Sequence, residues 1–485
     1  MTVNLPSDAV LLAGAALLVA GVLCAGFADR LRAPGLLLFL GLGMALGSDG
    51  LGLIDFSDAG QAQSIGVAAL VVILYEGGLS TSPRELRRVA GPGLALATLG
   101  VFVTAVVVAL GALVVLDVPV TTALLLGAVV SSTDAAAVFS VLRQAPLPSR
   151  LKVLLEAESG GNDPMAVLLT VGFIQVAAGD VTAGDWLVFG VRQLAGGLLV
   201  GAAVGWLGST ALARLRFSSP ALYPVLGLGV AGLAYGCAAL LGTSGFLAAY
   251  VAGVVVGARA PRRRRAVRTF HEGLASTSQI ALFLLLGLLV FPSRLPGVAL
   301  PALAVAATLV FVARPLAVAV SLPWFGFSRR ELGFASWAGL RGAVPIVLAT
   351  FPLTAGHPDG QVIFDVTFFV VLVSAAVQGL TVAPLARRLG LESTTSGWAG
   401  LAEVVPLDAV GIDVVEIDVP TGSRVVGQPL REVPLPLDAR VAAIVRRGEV
   451  VVPNGDSHLE EGDLLVVFAR RRGELAGAIT AWASG

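Results

Sequence analysis

Glu158-Ser-Gly-Gly-Asn-Asp-Pro164 sits inside an apolar run, with Leu151-Lys-Val-Leu-Leu155 before it and Met165-Ala-Val-Leu-Leu-Thr-Val-Gly-Phe-Ile174 after it. A run of this kind reads as a membrane-spanning helix. Ionisable groups at membrane depth are costly, so they face a protein interior or a water-filled cavity and mark an ion or proton path. Backbone broken at that depth is tolerated only where it lines such a cavity or is buried in protein. The segment is therefore expected to be broken and lined by water or protein. A carboxylate beside a carboxamide there points to a site where a cation and a proton compete.

Working outward, the whole chain fits a membrane setting. Its 485 residues are 56% hydrophobic and 13% charged, with a mean hydropathy of +0.89, against about 45–50% apolar and roughly 25% charged for a soluble globular chain. The net charge of +0 gives no reason to expect a nucleic-acid partner. Cys24 and Cys237 lie in separate apolar runs, which suggests neither a disulfide framework nor a zinc site. The first residues, Met1-Thr-Val-Asn-Leu-Pro-Ser-Asp8, carry no basic residue, so the first apolar run is expected to be a retained span and not a cleaved signal.

A bilayer core takes about 20 apolar residues per helix, and about 13 such runs end near Arg387. Arginine marks alternate loops: Arg30 and Arg32; Arg84, Arg87 and Arg88; Arg143, Arg150 and Lys152; Arg214 and Arg216; Arg259 to Arg268; Arg329 and Arg330; Arg387 and Arg388. Cytoplasmic loops collect such charge. With an odd number of spans, the N-terminus is expected outside and everything after Arg388 in the cytoplasm. Arg262-Arg-Arg-Arg265 then reads as topogenic charge that also meets anionic lipid headgroups.

The tail changes period. Glu392-Ser-Thr-Thr-Ser-Gly397 begins a linker, and short strand-like runs follow at Val414–Val419, Val441–Arg446, Val450–Val452 and Leu464–Phe468. Turn signals separate them at Pro420-Thr-Gly-Ser423, Pro453-Asn-Gly-Asp456 and Glu461-Gly-Asp463. The expected organisation is a membrane domain over 1–390, a linker over 391–405 and a small α+β cytoplasmic domain over 406–485.

Three further groups of residues carry chemistry. In the sixth run Glu158 and Asn162 share one helix face, and Ser159 and Asp163 another about 100° away. Pro164 has no amide hydrogen, which frees the Gly160 carbonyl as an extra cation ligand. The bland alternative is a helix–helix packing knot glued by polar residues. In the fifth run Ser131-Ser-Thr-Asp134 falls mid-run. Thr133 and Asp134 there fit a discontinuous helix whose unwound carbonyls meet cations, with Asp134 also a natural cap for the second half. In the twelfth run Arg341 needs a carboxylate or a ring of carbonyls, and Glu158 is the expected partner. Arg314, before Pro315, has Glu76 as its expected mate; both arginines could instead extend toward an interface.

Thr133-Asp134, Glu158-Ser159 with Asn162-Asp163, and Gly339-Leu-Arg-Gly-Ala-Val-Pro345 together resemble the signature set of the monovalent cation:proton antiporters, in the NhaP branch that carries a C-terminal TrkA-C (RCK_C) domain. In the tail, Val425-Val-Gly-Gln-Pro-Leu430, Ile444-Val-Arg-Arg-Gly-Glu449 and Pro453-Asn-Gly-Asp456 to Glu461-Gly-Asp463 carry the second part of the likeness. The resemblance implies an all-α polytopic membrane protein with about 13 transmembrane helices, inverted repeats and two interrupted, crossed helices, forming a homodimer in the plasma (inner) membrane. It implies exchange of K+, or alternatively Na+, for H+ by alternating access. Asp163 would alternate between proton and cation, Thr133, Ser159 and Glu158 would shape the site, and Asp134 and Asn162 would support it. Asparagine at 162, where electrogenic relatives carry a second aspartate, implies electroneutral exchange. The tail would be regulatory, with a nucleotide as its small-molecule ligand. No resident cofactor or metal is implied beyond the transported cation.

Two other classes fit less well. A potassium channel uses carbonyl rings such as Thr-Val-Gly-Tyr-Gly, a segment the sequence lacks. An enzyme would need clustered ligands, and His271, His357 and His458 read as loop or tail residues without metal-ligand spacing.

Overall fold

The computed structural model describes residues 6–31, 34–81, 83–134, 137–138, 141–142, 147–179, 183–259, 264–391, 405–407, 412–419, 425–433, 435, 439–446 and 449–470. The chain divides into two compact units, Met1–Glu392 and Ser393–Gly485. The expected linker lies almost wholly outside the described residues, as do the turn at 420–423 and residues 260–263 of the basic loop.

The described residues of the first unit form helices joined by turns and short unwound stretches. Its helices are α1 (Pro6–Leu31), α2 (Gly35–Leu46), α3 (Ala59–Ser80), α4 (Pro83–Ala95), α5 (Val101–Leu116), α6 (Val120–Val129), α7 (Ser149–Ala177) and α8 (Ala183–Arg214). They continue as α9 (Leu222–Leu240), α10 (Gly245–Arg259), α11 (Arg264–Leu289), α12 (Leu295–Thr308), α13 (Arg314–Ser321), α14 (Arg329–Trp337), α15 (Ala343–Thr354) and α16 (Gly360–Arg388). Among the described residues, eight helical stretches are long and apolar enough to cross a membrane, and α2, α6, α10 and α15 are shorter apolar helices.

Local chemistry starts several of these helices. Prolines 34, 119 and 148 precede α2, α6 and α7, where a fixed φ and a missing amide hydrogen cost nothing. The Asp58 carboxylate accepts from the amides of Gly60 (2.8 Å) and Gln61 (3.0 Å) and so caps α3. Ser328 and Glu331 form a reciprocal capping box at the start of α14.

Two features break the helical regularity in pairs. A π-helical turn at Leu96–Gly100 joins α4 to α5, and another at Leu309–Ala313 joins α12 to α13. The backbone is unwound after α6, over 131–134, and again between α14 and α15, over 338–342. By contrast, α7 runs unbroken through Pro164, so the expected break at 158–164 is corrected: the quoted segment is continuous helix. In membranes the backbone group freed by a proline can be satisfied by neighbouring helices and side chains, and the unwound backbone that α7 meets belongs to the neighbouring run.

The helices sort by packing. Helix α10 packs most extensively on α3 and α8, and α11 on α2 and α3. A second set links α5 with α6, α4 and α6 with α7, and α12 and α15 with α16. The core running through both sets is aliphatic, with Leu40, Leu126, Leu151, Leu282, Ile346 and Val371 fully or almost fully buried.

The second unit carries an antiparallel five-stranded sheet in the order β1-β2-β5-β3-β4. Its strands are β1 (Val405–Leu407), β2 (Ile412–Asp418), β3 (Arg440–Arg446), β4 (Glu449–Val451) and β5 (Leu464–Arg470). β5 pairs with β2 on one side (Val415 opposite Val467) and with β3 on the other (Ile444 opposite Leu465). Val419, Val425, Ile444, Leu459, Leu465 and Val467 form a separate small core. No α-helix occurs among the described residues of this unit, so the helical half of the α+β expectation finds no counterpart there.

Candidate ion-binding site

The site forms where the two unwound segments meet. The amide of Asp134 donates to the carbonyl of Leu340 at 2.8 Å, tying one break to the other. One Asp134 oxygen accepts from the Ala137 amide at 3.1 Å. The other lies so close to Gly342 that a Cβ there would collide with it. Gly342 is the residue before α15. The carboxylate thus accepts the Ala137 amide and sits at the start of α15, where exposed amides and the helix dipole favour negative charge.

Helix α7 hangs its polar residues on the first break. Ser132 donates its hydroxyl hydrogen to Asp163. The Asn162 amide donates to the Thr133 hydroxyl at 2.5 Å, and the Ser159 hydroxyl donates to the Thr133 carbonyl at 3.0 Å. Asp163 is 6% exposed and Asn162 fully buried. The spacing explains the arrangement: residues 159, 162 and 163 fall on one side of a helix, and each finds a different group of the same four-residue stretch.

The expected ion pairs are corrected. Glu158 does not pair with Arg341, nor does Arg314 pair with Glu76. Both terminal nitrogens of Arg314 bind the Glu158 carboxylate, Nη1 to Oε1 and Nη2 to Oε2, the latter at 2.9 Å. Arg314 Nε donates to the Ala335 carbonyl at 3.2 Å, so each of the three guanidinium nitrogens has a partner. Glu76 instead accepts from Ser80, one turn along α3, at 2.5 Å.

Arg341 takes the other option open to it, a set of carbonyls. Its Nη1 donates to Ser131 (3.1 Å) and Ser132 (2.7 Å), while Nε and Nη2 are buried without a protein hydrogen bond. Its amide donates to Ser374, whose hydroxyl donates to Gln378, whose amide donates to the Trp337 carbonyl. Arg341 therefore holds the first break against the second.

Ser132, Ser374, Gln378 and Gly342 were not singled out by sequence reasoning. Ser132 stood in the quoted cluster next to Thr133. Ser374 and Gln378 are polar residues four apart in an apolar run, a signal that was there to read. His271 is also corrected: it lies within α11, fully buried, with Nδ1 2.7 Å from the Val267 carbonyl, and not in a loop.

Chemically, the cluster offers hard oxygen ligands around one carboxylate: Asp163, the hydroxyls of Ser132 and Ser159, the Thr133 carbonyl, and an Asn162 oxygen that has no protein partner. Hard cations prefer such a set. No group of three His, Cys, Asp or Glu suited to a resident metal occurs among the described residues.

The chain is similar to known transporters over most of its length. The family model "Sodium/hydrogen exchanger, transmembrane" matches residues 15–388, and a TrkA-C domain model matches residues 414–476. The K(+)/H(+) antiporter NhaP2 of Shewanella sp. (strain MR-4) is 38% identical over 473 residues, covering 95% of this chain and 81% of that protein. The K(+)/H(+) antiporter NhaP of Alkalimonas amylolytica is 41% identical over 451 residues, covering 91% and 78%. Among solved structures, the sodium proton antiporter MjNhaP1 from Methanocaldococcus jannaschii at pH 8 superposes with a TM-score of 0.70 at 25% identity, covering 78% of this chain and 98% of that one.

Proposed function

The chain belongs to the sodium/hydrogen exchanger family, a transporter family and not an enzyme family, and from that premise we propose that it exchanges potassium for protons across the membrane by alternating access. One observation carries the mechanism. Asp163 is buried on a helix where it, Ser159 and Asn162 all engage a single unwound stretch. A proton or a cation can each neutralise that carboxylate. An ionised, empty site would be costly to carry past apolar walls, so only the loaded forms move, and coupling follows without a separate device.

Asp163 is the residue that changes partner. Ser132, Ser159, Thr133 and Asn162 supply oxygen ligands, Asp134 and Arg341 hold the crossing, and Glu158 with Arg314 anchors α7. Asn162 in place of a second carboxylate supports one-for-one, electroneutral exchange. The protein has about thirteen spans in two inverted repeats. The paired π turns at 96–100 and 309–313 and the paired breaks at 131–134 and 338–342 support that symmetry. It works as a homodimer in the plasma (inner) membrane, with the N-terminus outside and the tail in the cytoplasm. The tail sets when transport runs, in response to a small ligand of nucleotide type.

The test is cation-dependent proton movement in proteoliposomes at an imposed pH gradient, with and without voltage, comparing K+, Na+ and Li+. Exchange with K+ that is insensitive to voltage is expected. Exchange with Na+ alone reassigns the cation, and a voltage-driven K+ flux without proton movement rejects antiport. Removal of the tail should leave the cation preference unchanged and alter the rate or its pH dependence.

A further inference from the structure

Tyr250 lies on α10, yet its phenol ring rests on α7 at Gly160. A Cβ at Gly160 would stand 2.6 Å from Cε2 and from Cζ of Tyr250, and 2.8 Å from its hydroxyl oxygen. The tip of the ring fills the space where any other residue would begin its side chain. Gly160 is within a turn of Asp163, on the side toward Ser149, and its carbonyl is the one that Pro164 leaves without a helical amide partner.

Helices α3 and α10 form a backbone-to-backbone fit that holds the ring in place. A Cβ at Gly78 would collide with the Tyr250 carbonyl, one at Gly253 with the Tyr75 carbonyl, and one at Gly257 would lie 2.6 Å from the Leu79 carbonyl. Helices that close together have no room to slide past each other. Helix α7 touches α3 and α10 only slightly and packs instead on α4 and α6. Tyr250 is therefore part of a platform, and Asp163 part of the bundle that contains the interrupted helices.

The geometry points to Tyr250 as the seal on the Ser149-ward flank of Asp163: a fixed aromatic ring over which Gly160 slides, closing that route while the carboxylate faces the other side. The inference rests on the reading of Asp163 as the exchanging carboxylate. Tyr250 is a gating residue and not an ion ligand. The absence of a side chain at Gly160 is what lets the ring reach the backbone of α7 at the turn next to the site.

The experiment uses full-length protein in proteoliposomes, with proton movement recorded in the presence and absence of K+. Wild type, Tyr250→Ala, Tyr250→Phe, Gly160→Ala, the Tyr250→Ala/Gly160→Ala pair and Asp163→Asn are compared. Tyr250→Ala should raise the cation-independent proton leak by about tenfold, equivalent to about 1.4 kcal/mol off a barrier. Tyr250→Phe keeps the ring and should remain coupled. Gly160→Ala should leak because its methyl displaces the ring, and the pair should leak no more than Tyr250→Ala alone, since both changes break one contact. Wild-type coupling in folded Tyr250→Ala overturns the seal, and so does an equal leak in Tyr250→Phe. These two variants decide the matter even where Gly160→Ala does not fold. Persisting K+-dependent exchange in Asp163→Asn overturns the underlying site assignment instead.

Discussion

Glu158 and Arg314 meet in a two-pronged, buried ion pair between α7 and α13, with the guanidinium lying over Gly339 at the second helix break. Removing one member of such a pair strands the other charge in a dry interior, at a cost of about 3–5 kcal/mol. Arg314→Ala should therefore lower thermal stability in detergent by that order. Adding Glu158→Gln to it should restore much of the loss, whereas adding Glu158→Gln to Arg341→Ala should not. Equal recovery in both double variants would mean that Glu158 is shared between the two arginines.

Ser132 contributes a hydroxyl that points at the Asp163 carboxylate. A hydrogen bond to a charged group is worth about 1.5–3 kcal/mol, so Ser132→Ala should raise the KM for the cation by about tenfold or more while the folded protein survives. An unchanged KM with a reduced maximal rate would place Ser132 in the conformational step and not in cation binding.

How far the sequence reached depends on the kind of contact. The apolar runs, the polar knots on the fifth, sixth and twelfth of them, and the strand pattern of the tail follow from local periodicity, and each is legible residue by residue. The partners of Glu158 were not. Arg314 lies 156 positions away from it, and choosing between Arg314 and Arg341 requires knowing which break each arginine adjoins. Pro164 misled for a different reason: its local rule is to break a helix, but tertiary packing around α7 overrides it. The role of Gly342 was invisible because it is defined by what approaches it from another segment.

Gly342 leaves room for the Asp134 carboxylate where no Cβ can fit. Gly342→Ala should push that carboxylate off the start of α15 and unpick the crossing held by the Asp134–Leu340 hydrogen bond. The expected outcome is loss of transport with a stability cost of a few kcal/mol, on the order of a buried-network disruption. Asp134→Ala made in the same background should not lower stability further, because the clash goes with the side chain. Exchange rates and unfolding temperatures of the two single variants and the pair check this directly.

The tail offers a pH test that is independent of transport. Burial alone would raise the Asp463 carboxyl. Hydrogen bonds from Arg446 Nε (2.9 Å) and Nη2 (2.8 Å) and from the Glu460 amide (2.8 Å), with the guanidinium charge, hold it below the ordinary carboxylate value instead. A carboxyl lowered on folding stabilises the fold above its unfolded value, near pH 3.9, and that contribution disappears as pH falls through the lower folded value. Amide exchange in residues 440–470 of the full chain, corrected for the intrinsic rate, should show protection that is steady at neutral pH and falls in acid, below about pH 4. Asp463→Asn should cost about 1.5–3 kcal/mol of that protection at neutral pH and flatten its acid response, because the titrating group is gone. An acid response as steep in Asp463→Asn as in the wild type would assign it to other carboxylates of the unit. Since the contact joins the end of β3 to the turn before β5, loss of protection should appear first where those two strands pair.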